Sequence, residues 1–105
     1  MNLKSQQIDK VQNLFQQAIA GVDLYLNGLK QEPYLFTDEA ELLKVRYFLV
    51  KMKEAVDSYR MDVLPINFVR MLETWPYQND VRKVISEAEY QYEKLQKKVE
   101  KERRS

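Results

Sequence analysis

The sequence predicts an all-α fold, an antiparallel bundle of three long helices plus one short helix, formed by a single domain spanning residues 1–105. Three observations predict it. Apolar residues recur every three or four positions through most of the chain. Gly occurs only twice and Pro three times, too few for the many tight turns of a sheet protein. Helix start and stop signals fall between the periodic segments rather than inside them. A chain of 105 residues, 45% hydrophobic and 31% charged, has a globular balance and buries enough surface to fold without metal or disulfide support.

The first helix is expected from Ser5, as N-cap, to about Lys30. Its stripe is Ile8, Val11, Phe15, Ala18, Val22, Tyr25 and Leu29, widened by Leu14, Ile19 and Leu26. Asn13, Gln16, Gln17 and Asn27 make the opposite face. Gly28 lies near the helix end, and Glu32-Pro33 stops the helix. The apolar loop Pro33-Tyr34-Leu35-Phe36 reads as a lid over the end of the bundle.

Asp38 followed by Glu41 has the form of a capping box and starts the second helix. Val45, Phe48, Leu49, Met52, Val56, Tyr59 and Val63 are its main stripe, and Pro65 ends or kinks it near Leu64. Pro65 opens a short third helix with Ile66, Val69 and Leu72 buried. The alternative is one long helix, two and three together, kinked at Pro65. Trp75-Pro76 closes this segment, and Asn79 or Asp80 caps the last helix. That helix carries Val81, Val84, Ile85, Ala88, Tyr92, Leu95 and Val99, and residues 98–105 are expected to form a frayed basic tail.

Two faces stand apart from this core. At about 100° per residue, Leu43, Tyr47, Val50 and Met61 form a second apolar row on the second helix. A helix apolar on two sides buries both. Either the second helix is the central one, or the row is a self-association face, for which a two-fold dimer is the commonest solution. Arg46, Lys53 and Arg60 run between the two rows, either snorkelling to solvent or offering a strip to an anion. On the last helix, Arg82, Lys83, Lys94, Lys97, Lys98, Lys101 and Arg104 fall in one broad arc, a face for an anion or nucleic acid if it has a ligand at all. Residues 81–105 carry a local +3 within a chain of +1. Glu87, Glu89, Glu93, Glu100 and Glu102 dilute that field.

The composition removes several chemistries. With no Cys there is no thiol catalysis, thiolate metal site or disulfide. With no His, the usual general base and commonest metal ligand are gone, and no Ser–His or Glu-x-x-His constellation exists. Glu87, Glu89 and Glu93 read as surface glutamates. Among the seven Tyr, Tyr25, Tyr59 and Tyr92 sit on core stripes. The one Trp, Trp75, is expected to tuck against the bundle end.

The polar N-terminus reads as no secretory signal, and no apolar run reaches the roughly 18 residues a membrane span needs. The expected protein is therefore cytoplasmic and non-enzymatic, without cofactor or metal. It is an interaction or adaptor module whose partner is a protein, with self-association through Leu43, Tyr47, Val50 and Met61. The alternative is a nucleic-acid-associated accessory protein using the basic arc. A small helical enzyme with a pocket between helices is the third reading.

Overall fold

The computed structural model describes residues 3–28, 36–60 and 68–104, and their side chains except those of residues 3–5, 69 and 104. Its elements are α1 (Leu3–Leu26), α2 (Glu39–Asp57), the single turn α3 (Phe68–Met71) and α4 (Asp80–Arg104), with no strand among the described residues. The three long helices pack against each other. None of the helices in the described residues is long and apolar enough to cross a membrane.

α1 begins at Leu3, so Ser5 lies inside the helix rather than at its cap. It ends at Leu26 and not near Lys30, because Gly28 takes a left-handed conformation, with φ 71°, and donates its N–H to the carbonyl of Tyr25 at 3.1 Å. Leu29 and the lid residues Pro33, Tyr34 and Leu35 lie outside the described residues.

α2 starts as its cap predicts. Asp38 is extended and its Oδ1 accepts the N–H of Glu41 at 2.8 Å. The helix ends at Asp57, well short of Leu64. The reason is a Schellman arrangement: Arg60 N–H donates to Ala55 at 2.9 Å and Tyr59 N–H to Val56 at 3.0 Å, with Tyr59 left-handed at φ 57°. α2 therefore terminates before Pro65, instead of running on through it as one kinked helix. Met61, Val63, Leu64, Pro65 and Ile66 lie outside the described residues.

The core gathers Val11, Phe15, Ala18, Val22 and Tyr25 of α1, Leu42, Val45, Leu49, Met52 and Val56 of α2, and Ile85, Ala88, Tyr92, Leu95 and Val99 of α4. Phe68, Leu72 and Trp75 join it from the segment between α2 and α4. Phe15 meets Tyr92 edge-on, ring centroids 6.0 Å apart. Leu42 and Phe68 are fully buried, although neither belongs to the stripes read from the sequence. Residues flanking the core at helix ends are hard to assign from periodicity alone.

The central helix is α1, not α2. α1 packs along both α2 and α4, while the backbones of α2 and α4 approach each other at few points. On the α4 side Gly21 permits a close approach: a Cβ there would stand 2.8 Å from Val81 Cγ2. On the α2 side the helices are tied by Arg46 to Asp23, at 2.5 Å, and by Gln12 to Asp57, at 2.8 Å. At the α4 seam, Lys98 donates to Gln7 at 2.7 Å and Asn79 to the Tyr25 hydroxyl at 2.9 Å.

Candidate interaction site

The side chains of α2 divide by angle. Leu42, Val45, Leu49, Met52 and Val56 face the core. Arg46, Lys53 and Asp57 lie towards α1. Leu43, Tyr47, Val50 and Glu54 then fall on the side turned away from the core, by the helical repeat. Leu43 is 51% exposed and Tyr47 57% exposed, and Val50 is half-buried. Met61, the fourth residue of the expected row, lies outside the described residues. Because α2 is peripheral, its second apolar row is not covered by another helix of the described residues.

The immediate surroundings of the row are charged. Lys44 and Glu54 are exposed. The Lys51 ammonium sits 5.6 Å from the Tyr47 ring centroid and 4.0 Å from Glu54 Oε2. The Tyr47 ring stands edge-on to Phe48 at 5.4 Å. These contacts hold Tyr47 against its own helix and leave much of its surface in water.

The strip Arg46, Lys53 and Arg60 is partly spent inside the chain. Arg46 takes both carboxylate oxygens of Asp23, and this pairing holds the guanidinium's pKa above its ordinary value. Lys53 pairs with Asp57 at 3.0 Å. Arg46 is paired across the seam to α1 and Lys53 within α2, so as an anion strip the two are neutralised.

The basic arc of α4 is exposed at Lys83, Lys94, Lys97, Lys98 and Lys101, whereas the Arg104 side chain lies outside the described residues. Arg82 departs from the arc. It is half-buried, donates to the carbonyl of Trp75 at 3.0 Å and lies over the Tyr77 ring at 4.1 Å, so it ties α4 to the connection before it. Tyr77, Arg82, Lys83, Ser86 and Glu87 line an open cleft of about 350 Å³. Lys94 lies 5.0 Å from the centroid of Tyr90, which is 53% exposed. Tyr90 adds an aromatic to the basic arc that the cation spacing alone does not reveal.

Trp75 is 2% exposed and anchored at the bundle end, against Tyr25 and Phe36 with ring centroids 6.3 Å and 5.3 Å away. It is therefore a structural residue and not a partner anchor. Glu41, expected to complete the capping box, instead accepts from Thr37 Oγ1 at 2.6 Å and Trp75 Nε1 at 2.9 Å. Asn79 caps α4, its Oδ1 accepting from Arg82 N–H at 2.9 Å.

Glu89 differs from the surface glutamate the sequence suggested. It is half-buried and accepts the N–H of Phe68 at 3.1 Å, capping the α3 turn. Burial raises its pKa above the usual carboxylate range, the hydrogen bond from Phe68 opposes this, and the charge of Glu93 adds to it. Among the described residues, no group of three or more acidic side chains is arranged to hold a metal ion.

Compared with protein-family models, curated proteins and solved structures, the chain matches none, so its function is read from its own residues.

Proposed function

We propose that the protein is a non-enzymatic interaction module that associates with a second copy of itself through the outward row of α2. One observation carries this reading: Leu43 and Tyr47, one turn apart on the face opposite the core, are each more than half exposed. Large apolar side chains placed together in water favour burial against a partner. The described buried side chains are apolar but for Gln91, which donates to Glu87 at 2.9 Å, and this supports binding over chemistry.

The long helices are read as an antiparallel bundle. Supporting this, Gln7 near the start of α1 meets Lys98 near the end of α4, while Tyr25 near the end of α1 meets Asn79 at the start of α4. Gln12 with Asp57 and Asp23 with Arg46 give the same sense for α1 and α2. The turn Phe68–Met71 is read as the body of the short third helix.

The strength of self-association follows from the row's size. Fully burying a Leu, Val or aromatic side chain contributes about 1.5–3 kcal/mol. Leu43, Tyr47 and Val50 count twice in a two-fold dimer and start partly shielded. Association costs about 4–15 kcal/mol in lost freedom. The dimer is therefore weak and concentration-dependent.

Sedimentation equilibrium across a concentration series tests this. The wild type is expected to approach twice the 12.6 kDa chain mass at high concentration, and Leu43→Lys with Val50→Lys to remain a folded monomer. A wild type that keeps the mass of one chain at millimolar concentration overturns the reading.

A further inference from the structure

We infer that two copies pair through α2 in an antiparallel register, Tyr47 packing on the partner's Val50 and Lys44 meeting the partner's Glu54. The inference rests on the self-association reading and specifies its geometry.

The apolar row and its charges determine the register together. Along the outward face the residues run Leu43, Tyr47, Val50 and Glu54, spaced four, three and four. This is the alternation of positions at a helix–helix seam. Two-fold symmetry with the helices running in opposite directions pairs positions whose numbers have a constant sum. Setting Tyr47 against the partner's Val50 brings both apolar pairs of the seam to its centre, one on each side of the axis. Leu43 then lies beside the aliphatic part of the partner's Glu54 at each end.

The same register handles the charges. Lys44 and Lys51 share one flank of the row, and that flank meets its own copy across a two-fold axis. Two lysines facing two lysines would repel. Glu54 relieves this because it projects from the row itself. In this register each Glu54 arrives within one residue, about 1.5 Å along the axis, of the partner's Lys44, giving two ion pairs across the interface, while its own Lys51 stays 4.0 Å away. The opposite flank is already neutralised within each copy, Arg46 by Asp23 and Lys53 by Asp57. A parallel, in-register pairing instead sets Glu54 against Glu54 at the seam and turns the Lys44 flank towards the partner's Arg46 and Lys53 flank. The opposed helix dipoles of the antiparallel pair add to the preference. α2 has 19 residues, about 28 Å at 1.5 Å per residue, long enough to hold all four layers.

Two measurements test the register. The first is charge reversal, read by sedimentation. Lys44→Glu and Glu54→Lys, each alone, are expected to weaken the dimer about tenfold by placing like charges together twice, and the combined variant to restore it. Both positions altered are solvent-exposed, so circular dichroism and thermal melting are expected to stay at wild-type values, which separates lost pairing from lost folding. The second uses the absence of native Cys. Lys44→Cys mixed with Glu54→Cys, treated with a short bis-maleimide, is expected to give a cross-linked product between the two variants, whereas each variant alone gives little. Strong linkage of each variant to itself, or failure of the double charge reversal to restore pairing, overturns the register and leaves self-association standing. A wild type monomeric at every concentration removes the underlying reading instead.

Discussion

The indole N–H of Trp75 donates to Glu41 Oε1 at 2.9 Å, so the connection ahead of α4 is tied to the first turn of α2. Two residues 34 positions apart share this bond, and the carboxylate also receives Thr37. No buried side-chain nitrogen or oxygen among the described residues is left without a partner, and this bond is part of the reason.

Glu41→Ala is expected to destabilise the fold by about 1–3 kcal/mol, because it leaves a buried indole N–H without an acceptor. Glu41→Gln retains an acceptor oxygen and costs less. Trp75 is the one tryptophan of the chain, so its fluorescence during urea unfolding reports both the stability and the local environment. An unchanged midpoint for Glu41→Ala would show that the bond contributes nothing net.

Gly21→Ala is expected to destabilise despite the higher helix propensity of alanine. The propensity gain is about 1 kcal/mol, but the new Cβ meets Val81 Cγ2 at 2.8 Å. Overpacking of this kind costs about 1–3 kcal/mol, and the stiff β-branched Val81 has little room to yield. Adding Val81→Ala is expected to recover most of the loss. A double-mutant cycle by chemical denaturation measures the coupling, and additive effects would place the two residues out of contact.

At Tyr59, glycine is expected to be more stable than alanine by about 1 kcal/mol, the reverse of the order inside a helix. The backbone there has φ 57°, where only glycine avoids the Cβ penalty. Comparing Tyr59→Gly with Tyr59→Ala cancels the loss of the ring and of its hydroxyl bond to Glu102 Oε2, which is 3.0 Å long. Thermal melts of the pair decide the order.

Glu89 gives the fold a pH dependence opposite to that of a paired surface carboxylate. Its pKa is raised in the folded state, first by burial. Between the unfolded and folded values the folded protein holds more protons, so stability falls as pH rises. The contribution is fully present below the unfolded carboxylate pKa and is lost as pH passes through the raised folded value. Glu89→Gln stays neutral and still offers Phe68 an acceptor. Its stability relative to wild type is therefore expected to increase across that window. Urea midpoints of both proteins from acidic to neutral pH check the sign, and a constant difference would mean the charge at Glu89 is well solvated.

Much of the fold is legible in local sequence. The helical class, the caps at Asp38 and Asn79, and the buried stripes from Val11 to Tyr25, Val45 to Val56 and Ile85 to Val99 follow from side-chain spacing and from hydrogen bonds made within a turn. The outward row of Leu43, Tyr47 and Val50 is equally visible, since it needs only the angle between successive residues. Long-range partners are not. Asp23 for Arg46, Glu41 for Trp75 and Phe68 for Glu89 are contacts between segments far apart in the chain.

That the chain is helical, and which side of each helix is apolar, could be read from residue spacing alone, because those properties depend on neighbours three or four residues away. Which helix lies in the middle emerged from packing between distant segments. The spacing that marks a second apolar row on α2 is the same whether α2 is enclosed or peripheral. What separates the two is how closely helix surfaces can approach, as at Gly21 and Val81, and which polar flanks pair across a seam, as at Asp23 and Arg46. With α1 in the centre, Leu43 and Tyr47 face water.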